Sequence, residues 1–352
     1  MLNKLAALFG LTLIAAALCA PAQEKAADET IKVETRLVSV PVIVSDRNGR
    51  YVPNLTASDF TVLQDGVPQT IEFFAAAQEP LTIALLIDTS QSTRPVLGDI
   101  KDSARSFIKL LGPRDRATIV SFDYDTHILS PLTADQDLLK KAIKQAEIPE
   151  YFGTTLRDAA YDTITRSFTG IKGRKAVIIL TDGKDAGSRI NSRDLLYALE
   201  ESDTLVYTVM FKTDERNLVA QFPFPGGNRD GIFRRRFPRG GGRFPDGGFP
   251  PIQNRRDNPR RAERVERANQ VAEEFLRKLS DTTAGRFYTS DSGKLIKTFE
   301  MIVEELRFQY RLGFYPWDEA SEKTLRELKV KVSRADSVVR SRGSYRVPDK
   351  LK

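Results

Sequence analysis

Three short segments carry the side chains best suited to chemistry, and all of them are oxygen donors. The first is Asp88-Thr89-Ser90-Gln91-Ser92, directly after the apolar run Ile83 to Ile87. In extended backbone, residues i, i+2 and i+4 project to one side, so Asp88, Ser90 and Ser92 present a carboxylate and two hydroxyls to one point. The second is Gly153-Thr154-Thr155, just ahead of a helical pattern beginning at Leu156, and the third is Thr181-Asp182-Gly183, after the apolar run Ala176 to Leu180. Asp88, Ser90, Ser92, Thr154 and Asp182 thus make a set of carboxylates and neutral hydroxyls. Such a set suits a hard cation. Mg²⁺ fits best, because it keeps waters and an open octahedral position rather than demanding a full protein cage, with Mn²⁺ or Ca²⁺ as alternatives. Neutral hydroxyls leave the ion electron-poor, so an acidic group from outside would complete its shell.

The elements that must position these residues follow from periodicity. Ile83–Ile87 and Ala176–Leu180 read as strands buried on both faces, the mark of a parallel sheet. Ala117–Phe122 and Leu205–Val209 are further strands. Val96, Ile100, Ala104, Phe107, Ile108 and Leu111 recur at helical spacing until Gly112-Pro113 stops them. Leu138–Ala146, Leu156–Phe168 and Ser192–Leu199 read as helices, as do Ala262–Leu279 and Leu295–Phe308. Alternation of this kind predicts an α/β domain with a doubly wound, mostly parallel sheet and helices on both faces. Ligands bind such sheets outside the C-terminal ends of the strands. All three oxygen-bearing segments fall there.

Asp88-x-Ser90-x-Ser92, Gly153-Thr154 followed by Leu156 and Asp158-Ala159, and Thr181-Asp182-Gly183 resemble the metal-ion-dependent adhesion site of von Willebrand factor type A domains. The resemblance spans roughly residues 81–310. It implies that Ser90, Ser92 and Thr154 contact the metal, that Asp88 and Asp182 hold it largely through waters, and that a partner's glutamate or aspartate takes the free position. One departure is Phe152, where such domains often carry a second glycine; a ring there would narrow the rim or tilt Thr154. Val44-x-Asp46-x-x-Gly49, Leu55-Thr56-x-x-Asp59-Phe60-x-Val62 and Gly66-x-x-Gln69 are similar to the lead-in of bacterial exported von Willebrand A-related proteins of the acidobacterial type. Gln309-Tyr310, Phe314-Tyr315-Pro316 and Arg342-Gly343-x-Tyr345 fit the same group.

The flanks read as β. Val38, Val40, Val42 and Val44 alternate as in a strand with one buried face, and Asn48-Gly49 and Asp65-Gly66 are hairpin signals. Tyr310–Tyr315, Leu328–Val332 and Val338–Tyr345 supply late strands. Each half is small for a stable core, so the two are expected to form one small β-sandwich with the α/β domain inserted between them. The boundaries are then 31–80 and 311–352 for the sandwich and 81–310 for the α/β domain. Residues 221–261 interrupt the latter with Gly-Gly pairs, Phe-Pro repeats and ten arginines against three aspartates, equal to the +7 of the whole chain. This Gly/Arg/Pro-rich insertion is expected to be disordered.

Met1–Ala22 has a basic residue, an apolar run and Ala20-Pro21-Ala22, which predicts a signal peptide, with a polar tether at 23–30. Cys19, the only cysteine, lies within it, so the mature chain would lack disulfides, thiolate metal sites and cysteine nucleophiles. No later stretch is apolar enough to span a bilayer. The protein is expected outside the cytoplasm, in the periplasm, at the cell surface or in the medium.

These features point to a binding and adhesion module rather than an enzyme. A hydrolase or phosphotransferase using Asp88 is the rival reading, but Ser90 stands where such enzymes need a second carboxylate. Neither a Gly-x-Ser-x-Gly elbow nor a Walker-type loop is present. His127, the sole histidine, reads as a surface or packed residue. The arginine-rich insertion is a second source of function, for an anionic envelope polymer or acidic lipid; export argues against nucleic acid.

Overall fold

The computed structural model describes residues 37–76, 79–211, 259–316 and 324–347. The expected signal peptide, the tether and the insertion as far as Asn258 lie outside the described residues.

The apolar runs form the centre of a six-stranded sheet. In chain order its strands are β5 (Leu81–Asp88), β6 (Arg116–Phe122), β7 (Thr126–Thr133), β8 (Arg174–Thr181), β9 (Leu205–Phe211) and β10 (Phe287–Ser290). Their spatial order is β10-β9-β8-β5-β6-β7. All neighbours pair in parallel except β7, which closes one edge antiparallel to β6. The central strands β5 and β8 carry long apolar runs, Ile83–Ile87 and Ala176–Leu180, because both faces are covered. On one face Ile83, Leu85 and Ile87 meet α1 (Leu97–Leu110), α2 (Gln136–Gln145) and α6 (Leu295–Arg307). On the other, Ala84 and Leu86 meet α3 (Leu156–Asp162), α4 (Ser192–Glu201) and α5 (Pro259–Thr283). Each fully buried leucine or isoleucine contributes about 2 kcal/mol, so this sheet is the stable frame from which the loops project.

Several expectations change in detail. The helix expected from Leu156 to Phe168 is α-helical only to Asp162 and continues as a π-helical turn over Thr163–Ser167. The insertion ends earlier than expected, because Pro259 opens α5; proline suits a first helical turn, whose N–H has no partner to lose. The single stretch expected from Val338 to Tyr345 divides into two strands that join different sheets.

Strands from the two ends of the chain build two further four-stranded antiparallel sheets. One has the order β13-β1-β11-β4, from β13 (Ser337–Ser341), β1 (Val38–Asp46), β11 (Tyr310–Phe314) and β4 (Phe73–Ala75). The other has the order β14-β12-β2-β3, from β14 (Ser344–Arg346), β12 (Leu325–Val332), β2 (Phe60–Gln64) and β3 (Val67–Gln69). Val40, Val42, Val44, Phe60, Val62, Leu312, Phe314, Leu328 and Val330 share one core between them, so late strands complete what early strands begin. Asp65 and Gly66, both at positive φ, make the tight β2–β3 turn. β1 is buried on both faces rather than one: Val40, Val42 and Val44 face the sandwich, while Ile43 enters the core of the α/β sheet. Among the described residues, no helix is long and apolar enough to cross a membrane.

Candidate metal centre

Parallel pairing of β5, β6, β8 and β9 sends all their C-terminal ends to one edge. Asp88, the last residue of β5, and Thr181, the last of β8, therefore lie side by side. Asp88 is fully buried. One of its carboxylate oxygens accepts the Ser90 N–H at 2.9 Å and the other the Thr181 hydroxyl at 2.6 Å. Ser90 is extended, but Gln91–Thr93 form a short 3-10 turn, and this turn rather than the extended alternation expected sets the Ser90 and Ser92 hydroxyls 3.0 Å apart. The Thr93 hydroxyl donates to the Asp88 and Ser90 carbonyls and closes the turn below them.

Asp182 follows Thr181 and is only 1 % exposed. Its carboxylate accepts the Lys184 N–H at 3.2 Å and pairs with the Lys184 ammonium at 3.3 Å. Burial pushes the Asp88 carboxyl up to about 7, and the negative charge of Asp182 adds to that rise against the opposing hydrogen bonds of Ser90 and Thr181. Two carboxylates that repel each other in a dry site favour either a proton or a bound cation.

Thr154 reaches the same edge on a neighbouring loop and is buried. Its carbonyl accepts the N–H groups of Ala186 and Gly187, at 3.1 and 3.0 Å, which join this loop to the one after Asp182. No hydrogen bond links its hydroxyl to Asp88, Ser90 or Ser92. The structure thus gathers Asp88, Ser90 and Ser92 by direct contact and Asp182 by its field, and sets Thr154 beside them through the backbone.

Two glycines make this convergence possible. Gly153 lies at φ +156°, and a Cβ there would meet the Tyr124 Cβ at 2.8 Å. Gly183 lies at φ +80°, and its Cβ would meet the Ala272 Cβ of α5 at 2.9 Å. Phe152 neither narrows the crevice nor fills it; its ring is 77 % exposed and turned outward.

Sequence reasoning missed the residues that hold the loops. Asp123, immediately after β6, accepts the Thr89 hydroxyl at 2.9 Å through its carboxylate and the Thr155 N–H at 2.7 Å through its carbonyl. It thereby ties the Asp88 segment to the Thr154 segment. Its position at a strand end was the available signal. Thr181 orients Asp88, although the motif suggested only that it precedes Asp182. Asp158, in the first turn of α3, accepts the Arg189 and Ile190 N–H groups through its carboxylate, at 3.0 and 2.8 Å, and anchors the far end of the Asp182 loop.

The donors fit a hard divalent cation: oxygens only, with the Asp88 carboxylate already oriented and two serine hydroxyls beside it. Among the described residues no group of three histidine, cysteine or carboxylate side chains converges anywhere, so a metal here would depend on the hydroxyls. The enzymatic reading finds less support. His127 lies 3.3 Å from Asp123, whose other oxygen takes the fully buried Thr89 hydroxyl. The imidazole thus faces a carboxylate and not a nucleophile. The polyanion reading concerns residues outside those described.

A doubly wound, mostly parallel sheet with oxygen-bearing loops gathered at its C-terminal edge defines an α/β domain. Residues 82–225 match the model of the von Willebrand factor type A domain, and this stretch of the chain is a domain of that family. Similar solved structures include the conserved hypothetical protein BatB from Bacteroides thetaiotaomicron, with 17% identity, 64% of this chain and 97% of that one covered, and a TM-score of 0.42. A von Willebrand factor type A protein from Catenulispora acidiphila shows 13% identity over 82% of this chain and 72% of that one, with a TM-score of 0.45. Proximal thread matrix protein 1 of the mussel byssus, with a zinc-occupied MIDAS motif, shows 15% identity over 69% and 49%, with a TM-score of 0.45. No curated protein matches the sequence.

Proposed function

We propose that this chain is an exported binding protein whose type A domain captures an acidic residue of a protein partner through a divalent cation, Mg²⁺ being the best fit. The observation that carries this reading is the Asp88 carboxylate: fully buried, oriented by Ser90 and Thr181, raised to about 7 beside Asp182, and adjoining two paired serine hydroxyls. Ser90, Ser92 and Thr154 would hold the ion, with Asp88 and Asp182 behind them. When bound, the cation supplies the positive charge to which an incoming aspartate or glutamate is attracted. Thr181, Thr93 and Asp123 keep the donors in place, so little ordering is left to be done when the partner arrives.

The test is capture from the native envelope. Immobilised full-length protein in Mg²⁺ should retain specific proteins that EDTA releases, and the Ser90→Ala/Ser92→Ala variant should retain none of them. Retention that persists through EDTA, or on the variant, would contradict the reading.

A further inference from the structure

The turn after β1, the start of β10 and the outer side of α6 enclose a cleft of about 520 Å³, a size that suits a small molecule. It lies toward the N-terminal edge of the six-stranded sheet, away from Asp88 and Asp182. The end of α6 marks that edge, because the Leu306 carbonyl accepts from the guanidinium of Arg174, the first residue of β8, at 2.7 Å.

One wall of the cleft is made firm by local chemistry. Asp46 accepts the Asn48 and Arg50 N–H groups through one carboxylate oxygen, at 2.8 and 2.9 Å, and Gly49 turns the chain at φ +80°. The turn delivers Tyr51, whose ring stacks on Phe308 with centroids 5.2 Å apart and whose hydroxyl donates to Glu305 at 3.2 Å. This stacked pair, with Met301 of α6, gives the cleft an apolar side.

Unused donors line the same cleft. Arg286 spends its Nε on Glu305, and among the described residues its terminal nitrogens bond to nothing. Arg50 is exposed, and its guanidinium has no partner among the described residues. The Tyr288 hydroxyl makes no hydrogen bond among them either. Burial, with the charge of Glu305 adding to it, pushes that phenol up to about 12, so it stays a neutral donor. Two guanidiniums and a phenol around one cleft suit an anion, which charge-assisted hydrogen bonds hold best. Glu304 lines the cleft as well, with the opposite charge. The field therefore favours a single negative charge over the two of a phosphate.

We propose that this cleft binds a small monocarboxylate with a flat apolar body. The carboxylate lies between Arg50 and Arg286 and takes the Tyr288 hydroxyl; the body lies against Met301 and the Tyr51–Phe308 stack. Such a ligand touches the sandwich and the α/β domain at once.

The test is a titration of the full chain in EDTA, which keeps the carboxylate from being captured by a cation at the far edge of the sheet. The probes are phenylacetate, acetate, benzyl alcohol and inorganic phosphate, each followed by the broadening of its proton or phosphorus NMR lines. Phenylacetate should bind saturably at one site. Acetate lacks the body, benzyl alcohol the charge, and phosphate carries too much of it, so each should bind at least about tenfold more weakly. Arg50→Ser, at an exposed side chain, should weaken phenylacetate about tenfold. Arg47→Ser, on the neighbouring surface outside the cleft, should change nothing. The proposal is overturned if phenylacetate shows no saturable binding or another probe binds as tightly. It is overturned equally if Arg50→Ser binds like the wild type, or if Arg47→Ser weakens binding as much. None of these outcomes bears on the metal site.

Discussion

Asp88 and Glu305 are both carboxylates with no exposed surface, yet the chain treats them in opposite ways. Glu305, on α6, receives the Tyr207 hydroxyl at 2.6 Å, the Arg286 Nε at 2.6 Å and the Tyr51 hydroxyl at 3.2 Å, and forms an ion pair with Arg340. Tyr51 and Arg340 come from the sandwich, Tyr207 and Arg286 from the α/β domain. Glu305 is therefore complete, and it locks the two parts together. Asp88 receives one hydroxyl and one N–H, faces a second carboxylate and has no cation paired with it. Buried charge neutralised within the chain serves structure; the charge at Asp88 is not neutralised within the chain, and the proposed cation would supply what is missing.

The largest effect should come from breaking the complete partner. Glu305→Ala leaves Arg286, Arg340 and two tyrosine hydroxyls around an empty place, which should cost about 3–5 kcal/mol in denaturant unfolding. A loss under about 1 kcal/mol would mean that Glu305 locks nothing.

Asp88 should respond to pH instead. Its folded value of about 7 lies above the ordinary 3.8. Stability from the protonated form is then fully present below pH 3.8 and lost as pH rises through about 7. Without metal, the protein should lose a few kcal/mol across that window. Asp88→Asn should flatten the profile, and Mg²⁺ should restore stability above pH 7 by replacing the proton. Unfolding curves at several pH values decide this; a wild-type profile as flat as the variant's would remove the contrast with Glu305.

A smaller effect tests whether the loops must approach as closely as they do. Gly153→Ala has to displace Tyr124 and should cost about 1–3 kcal/mol, read from the same unfolding curves. An unchanged midpoint would show that the Thr154 loop tolerates slack.

The frame was legible in the sequence because fully buried parallel strands are long apolar runs, and Ile83–Ile87 and Ala176–Leu180 can be little else. The edges were not. β10 has four residues, too few to show a period, and β7 mixes threonine, serine and proline. Val338–Tyr345 read as one strand because nothing local reveals that Arg342 is buried at the break, donating to the Ser39 and Ser202 carbonyls. Asp88, Ser90 and Ser92 were legible as neighbours because they are close in sequence, although a short helical turn at Gln91–Thr93 and not extended alternation brings the two serine hydroxyls together. Asp123 and Thr181 act across strands, so their roles depended on which strand ends meet. Glu305 did leave a trace, an acid three residues after Ile302 on the apolar face of its helix, but its four partners are scattered from Tyr51 to Arg340.

The central claim is that Asp88 and its neighbours are an unfinished cation site. Calorimetric titration of Mg²⁺ at pH 8 tests it most directly. Wild-type protein should bind one ion saturably, and the Ser90→Ala/Ser92→Ala variant, folded and equally stable without metal, should bind none. Identical heats from the two proteins, or none from the wild type, would contradict the account.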